Sequence, residues 1–510
     1  MKLTPLAKAF VAAVILAVVG YSGWHYYQGH KPGETGAEKA QEKSAAATGT
    51  KSKHDAKKIV VGVNDFGGAY PGVVANDGAI AGAKSRFAAA GLDVEIKLIR
   101  GSKERLAAFD SGEVDIMLLT LDYLANLVPV YREKNVELKS FLMADWSRGN
   151  LGIVATPKIK SIEGLKDAKV ATTRNTPTHY LLLTLLKKSN LKPDQIEKVK
   201  SNIVYATKTP LAGDMFKRGE VDAVAIWEPH LSQAMAGGKG RLLVSTATAT
   251  NLVADVLFAR ESFLKDHEQQ MIAFSRAWFE GVALTEKDPE AAVQVIAKAF
   301  QQSLDETRDV LKKIKPTTFA DNREFFGLER ERAPYLALFE DASRFWQKEG
   351  VIKQAADGAA TRWLKPLEAL SKEHADEKVK EDFKFGKGPR ASTPPLLTKS
   401  VSIYFASGVD RLDPNAKKLI DEFADTLAEF GNAYVRVEGN TDNVGAAKSN
   451  VALSKRRAVA LVDYLTAQHG FDRTRFVAVG NGPDKPVGDN ATEEGRDMNR
   501  RTDFEIIPNE

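Results

Sequence analysis

Asn440-Thr441-Asp442-Asn443-Val444-Gly445, followed by Asn450-Val451-Ala452-Leu453-Ser454-Lys455-Arg456-Arg457-Ala458, sets one carboxylate and one guanidinium beside a strand end and a helix start. The strand is expected over Ala433–Glu438, with Val435 and Val437 on one face. The helix that leaves the turn carries Val451, Leu453, Val459, Leu461 and Leu465 at apolar spacing. Asn450, Leu453, Ser454 and Arg457 fall three, four and seven apart, so they share one helix face. A straight helix from Asp442 to Arg457 would separate the pair by roughly 22 Å. The loop around Gly445 must therefore fold back for both to hold one small ligand. A folded-back Asp/Arg pair suits a zwitterion, the carboxylate meeting an ammonium and the guanidinium a carboxylate.

These residues resemble the OmpA-like peptidoglycan-binding domain over about 400–510. The match includes Tyr404-Phe405, Leu453-Ser454-x-x-Arg457-Ala458 and Asn499-Arg500-Arg501. The resemblance implies an α+β domain in which Asp442 and Arg457 clasp the diaminopimelate of the peptidoglycan stem peptide. Thr441, Asn450, Leu453 and Arg501 would support them. Asn440 stands where many members carry histidine. The bland reading is an Asp/Arg ion pair with Leu453 in the core.

A chain of 510 residues exceeds one core and predicts at least two domains. Its hydrophobic content of 43% and charged content of 27% are ordinary for globular protein. A net charge of +5 gives no reason to expect nucleic acid as a partner. With no cysteine, disulfides, thiolate catalysis and Cys-ligated metals are excluded.

Lys2 and Lys8 precede an uncharged run, Ala9 to Trp24, closed by His25-Tyr26-Tyr27. This pattern fits a signal peptide or a signal anchor. No small-x-small cleavage site precedes Gln28, which favours an uncleaved inner-membrane transmembrane helix over 1–28, with everything beyond it in the periplasm. The run contains no Asp or Glu, which argues against a proton-conducting stator. Residues 29–57 read as a disordered linker, and 371–399, ending in Pro-Arg-Ala-Ser-Thr-Pro-Pro, as a second one.

Between them, 58–370 alternates strands and helices. Strands are expected at Ile59–Val63, Val94–Leu98, Val114–Leu119, Leu151–Ala155, Lys169–Thr172 and Ala223–Trp227. Helices are expected at Ala79–Ala90, Lys103–Ser111, from Pro177, and through much of the final third. The alternation predicts α/β architecture with parallel sheets. Thr176 is a natural N-cap ahead of Pro177, and with Thr178 that helix start forms an anion site. Trp227 and Glu228 sit at a strand exit, where open sheets bind ligands.

This region resembles the periplasmic solute-binding proteins of the nitrate/sulfonate/taurine type, related to the pyrimidine-precursor binders. Gly112-Glu113-Val114-Asp115, Leu119-Thr120-Leu121-Asp122 and Thr318-Phe319-Ala320-Asp321-Asn322 add to it. The resemblance implies a two-lobed, type II-like periplasmic binding protein fold that closes on ligand by a hinge. It carries over the first strand exit (Asn64, Asp65, Phe66, Tyr70), then Thr120 and Asp122, then Arg148 and Asn150. In the second lobe it carries over Thr176, Thr178, His179, Trp227 and Glu228, with Arg174 beside them. Where the family often has Gly-Ser, this chain has Asn175-Thr176. Each candidate has a bland reading: His179 as a backbone partner, Trp227 as lobe core, Asp65 as a turn former, Arg148 as a solvated surface residue. Asp65, Asp122 and Glu228 together favour an amine-bearing or zwitterionic solute over a purely anionic one.

No nucleophile elbow, Walker loop, Rossmann glycine triplet or zincin helix occurs, and His267-Glu268 lacks a second histidine. A glycosidase-like carboxylate pair stays open. The fungal relatives of the pyrimidine binders are cysteine- and iron-dependent synthases, a chemistry that a chain without cysteine does not support. The resemblances imply a non-enzymatic envelope protein without cofactor or metal. It would bind a small polar solute between two lobes and hold peptidoglycan, with an ABC permease or sensor as further partner. A tether whose lobes bind a wall fragment or a protein is the alternative.

Overall fold

The run Lys58-Ile59-Val60-Val61-Gly62-Val63 is β-branched at most positions and forms β1 (Lys58–Val63), buried almost throughout. The computed structural model describes residues 58–329, 333–380, 383–390, 392–401, 403 and 411–509. Along the chain, β2 (Asp93–Leu98) and β3 (Ile116–Thr120) join β1 in parallel, helix α1 (Leu121–Arg132) follows, and β4 (Leu138–Ser147) leads out of this first lobe. The second lobe holds β5 (Leu151–Ala155), β6 (Val170–Thr173), α2 (Pro177–Lys188), β7 (Ile203–Ala206), β8 (Ala223–Trp227) and β9 (Arg241–Ser245). β10 (Ala254–Arg260) and β11 (Ile314–Pro316) return to the first lobe, and α3 (Pro334–Lys348) is one of the helices packed around it. The strand orders are β11-β4-β10-β3-β1-β2 and β7-β6-β8-β5-β9.

Both sheets are mixed, which corrects the expectation of parallel sheets. β4 and β10 pair antiparallel in one lobe, and β5 and β9 antiparallel in the other. The reason is the double crossover: the chain passes between lobes along β4–β5 and back along β9–β10. The crossovers are stitched together, Ser147 N donating to Val253 O at 3.0 Å and Gly149 N to Thr246 Oγ1 at 2.9 Å. The helix expected over Ala79–Ala90 is a second correction. Only Arg86–Ala89 is helical, capped by Ser85, because Ile80 bridges to Glu95 at the edge of the sheet.

A separate sheet, β12-β15-β13-β14, belongs to the C-terminal module. It comprises β12 (Leu397–Val401), α4 (Pro414–Glu429), β13 (Ala433–Asn440), α5 (Ala447–His469), β14 (Phe476–Gly482), α6 (Glu493–Asn499) and β15 (Thr502–Pro508). β13 and β14 run parallel around α5, while β15 pairs antiparallel with β13 and β12. The sheet begins at Leu397, inside the segment expected to be linker.

The C-terminal module rests on the second lobe and on the crossovers. Asn251 N donates to Glu429 O and Asn251 Nδ2 to Ala428 O, both at 3.0 Å, and Asn432 Nδ2 donates to Ala247 O at 3.1 Å. Lys188 and Glu429 form a mostly buried ion pair at 2.9 Å. The expected anchor (1–28), the linker at 29–57, and Tyr404-Phe405 lie outside the described residues. Among the described residues no helix is long and apolar enough to cross a membrane.

Candidate functional site

The helix start singled out in the sequence meets a strand end carried over from the first lobe. β6 ends in a turn where Asn175 adopts φ +57°, a left-handed conformation that asparagine tolerates better than most residues. Thr176 then caps α2, its hydroxyl donating to Thr173 O at 2.7 Å and accepting from His179 N. Thr178 is buried against Thr172. His179 Nδ1 accepts from Asn175 N, so the imidazole is the Nε2–H tautomer facing the Tyr205 hydroxyl at 3.1 Å. Burial, with Arg174 nearby, lowers its pKa to about 4, and the ring is neutral. Arg174 lies over the Tyr205 ring at 3.9 Å.

From the first lobe, the start of α1 meets this corner through a residue the sequence reading missed. Trp346 of α3 is fully buried, donates from Nε1 to Asp122 O at 2.7 Å, and lies 5.9 Å from the His179 ring. Thr120–Asp122 and Thr176–His179, one helix start from each lobe, thus flank one indole.

Several candidates are placed otherwise. Tyr70 is core: fully buried, hydrogen-bonded to Gln302 and packed on Phe300, with its pKa raised by burial. Asn64 is a turn former whose Oδ1 accepts from the Phe66 amide at 3.3 Å, and Phe66, half-buried, packs on the apolar core. Asp65 pairs with Arg100 at 2.8 Å. Arg148 donates to Asn251 Oδ1, stacks on Phe383 at 4.8 Å and lies near enough to Asp145 to act on its charge. Asn150 is a crossover brace, Nδ2 donating to Lys313 O. Glu228 is matched by Lys313 at 2.7 Å and by the Ser232 hydroxyl and amide, so its charge is spoken for. Trp227 is a half-buried strand end opposite Leu151.

Asp122 remains, and the structure adds Asp145 and Asp255. All three are buried, and among the described residues no hydrogen bond reaches Asp122 Oδ2, either oxygen of Asp145, or Asp255 Oδ2. Burial raises the pKa of Asp122 to about 7, with Asp255 adding to it. Burial raises Asp255 to about 6 and, with Asp255 alongside, lifts Asp145 well above the usual range. As ions both members of the Asp145/Asp255 pair are acceptors only; a proton held by one gives the pair its single possible link.

In the C-terminal module the β13–α5 turn folds back as expected. Asn450 Nδ2 donates to Val444 O and Asp442 O, and Asp442 Oδ1 accepts from Val444 N. Thr441 donates to Asp442 O. Leu453 and Arg457 are half-buried on α5. The cation on Asp442 is Arg500, at 2.7 Å, which also pairs with Glu493 and Asp497. Arg501, one residue on, is buried and paired with Asp503 at 2.9 Å. Asn440 is wired into the sheet through Asp503 and Asn481.

Residues 79–292 match the NMT1/THI5-like family, and residues 404–500 match the OmpA family. The chain joins an NMT1/THI5-like module to an OmpA module. Outer membrane porin F of Pseudomonas aeruginosa is 38% identical over 111 residues, which are 22% of this chain and 32% of that protein. The peptidoglycan-binding protein ArfA of Mycobacterium bovis is 34% identical over 126 residues, 23% of this chain and 38% of that one. The chain spans about a third of the length of the curated relatives it matches first. The periplasmic aliphatic sulphonate binding protein SsuA from Escherichia coli is similar over 61% of this chain and 98% of its own, at 19% identity and TM-score 0.47. The periplasmic nitrate-binding protein NrtA from Synechocystis PCC 6803 is similar over 62% and 89%, at 13% identity and TM-score 0.47.

In the NMT1/THI5-like module the buried carboxylates without a donor lie on the first lobe: Asp122 in a marked motif, Asp145 and Asp255 on strands that no motif marked. In the OmpA module the motif aspartate sits in the expected turn with Arg500 against it, and Arg457 lies half-buried on α5.

Proposed function

We propose that the protein is a non-enzymatic, wall-holding solute-binding protein of the cell envelope. Its NMT1/THI5-like lobes take a small polar solute, and its OmpA module grips the diaminopimelate of peptidoglycan through Asp442 and Arg457. Delivery to an ABC-type permease or to a sensor follows from that arrangement, with residues 1–28 as inner-membrane anchor. The observation that carries the reading is the convergence of Thr120–Asp122 and Thr176–His179 from opposite lobes, in a chain whose other module presents Asp442 in a folded-back turn. A metabolite panel read by thermal shift tests the first half. A cleft ligand at 100 times its Kd adds roughly 2.7 kcal/mol of stability. Retention on purified sacculi, lost in Asp442→Ala, tests the second.

One contact favours a second reading, a tether whose lobes hold still: Trp346 fastens Asp122 and packs on His179, spanning both lobes. Under that reading Trp346→Ala opens no binding and the metabolite panel moves no melting temperature.

A further inference from the structure

We propose that the cleft end of the first lobe's sheet is a subsite for a cationic nitrogen, the ammonium or amidinium group of a small solute, received by Asp145, Asp255 and Asp122. The proposal rests on the solute-binding reading and names the chemistry of its ligand. The strand register makes the site. Asp255 on β10 stands directly opposite Asp145 on β4 and opposite Thr120 on β3, and directly opposed residues bring their Cβ atoms to about 4.5–5.5 Å on one face. Asp122 follows two residues after Thr120. The row lies where β3 and β4 end and β10 begins, the edge at which open α/β sheets hold their ligands.

Asp145 is 0% exposed, and Asp122 and Asp255 are each 5% exposed. A buried carboxylate is costly unless a cation or donors answer it. Elsewhere this chain answers such groups: Glu228 has Lys313, Asp321 has Lys315, Glu438 has Lys485 and Asp503 has Arg501. Two guanidinium groups stand near the three carboxylates, Arg148 acting on Asp145 and Arg105 on Asp255, while their printed hydrogen bonds go to Asn251 Oδ1 and Ile99 O. The wall over the row is glycine: a Cβ at Gly68 would come within 3.0 Å of Asp145 Oδ1 and 3.4 Å of Asp255 Cβ.

Calorimetric titration of the purified intact chain at pH 8 tests this, with 1,4-diaminobutane and L-lysine as cationic probes and nitrate and methanesulfonate as anionic ones. At least one amine is expected to bind, and Asp145→Asn to weaken it tenfold or more while melting no lower than the parent without ligand. Asp255→Asn serves as the second variant and should weaken binding in the same direction. Amine binding unchanged in both variants overturns the proposal. Silence from both amines also overturns it. If an anion then binds, the solute-binding reading survives; if all four probes are silent, that reading falls as well.

Discussion

Asp442 and Asp145 are both aspartates at the end of a strand, yet they rest in opposite electrostatic states. Asp442 lies against Arg500, which is itself shared with Glu493 and Asp497, so a ligand at that turn enters by exchanging one ion pair for another. Asp145 stands opposite Asp255 with Arg148 near enough to act on its charge, and among the described residues no hydrogen bond reaches either of its oxygens. A cationic ligand there supplies a hydrogen-bond donor to carboxylate oxygens that have none among the described residues. The first kind of site gains little net Coulomb energy and much geometric selectivity. The second makes the empty protein less stable than its amide variant would be.

The largest effect that sharpens this contrast comes from a fully matched pair. Arg501→Ala strands Asp503 in the sheet and should lower stability of the OmpA module by about 3–5 kcal/mol, read from its denaturant midpoint. Asp442→Ala should leave that midpoint nearly unchanged but weaken sacculus retention by roughly 2–5 kcal/mol. Asp145→Asn has the opposite sign: at pH 8 it should raise stability by roughly 1–3 kcal/mol, because an amide can donate to Asp255 and carries no charge. A midpoint that falls would mean the carboxylate is already answered, and the contrast would break.

The pH dependence is smaller and has a definite sign. Folded-state values of about 7 for Asp122 and about 6 for Asp255 stand above the unfolded value of about 3.9. Their contribution is present below about pH 4 and lost as pH rises through 6 and 7. His179, lowered to about 4, acts the other way: its contribution is present above about pH 6.5 and lost as pH falls through 4. Urea midpoints at pH 5 and pH 8 should therefore favour pH 5 less in Asp122→Asn than in the parent. In His179→Gln they should favour pH 5 more. The substitution of His179 itself should cost about 1 kcal/mol, the value of a typical hydrogen bond.

The local grammar of this chain was readable. Ala223–Trp227 is a strand of the expected bounds, Pro177 opens its helix behind a Thr176 cap, and the Asp442 turn folds back through Asn450. What escaped is what long-range pairing decides. Leu138–Ser147 is a strand buried at all but one position whose sequence, LKSFLMADWS, neither alternates nor carries turn signals, so nothing in it marks Asp145. Asp255 matters only because β10 returns from the other lobe to lie beside β4. Trp346 looked like one more apolar helix residue until α3 was set against both α1 and α2. Arg500 and Arg501 are neighbours in sequence, and only the strand pairing after them decides which faces the turn and which is buried.

The bonds from Ala428, Glu429 and Asn432 fall on Ala247 and Asn251, within the short segments that carry the chain from one lobe to the other. On the proposed function, a tug on the sacculus passed down through the OmpA module would be borne first by the crossover between the lobes and only afterwards by the interior of either one.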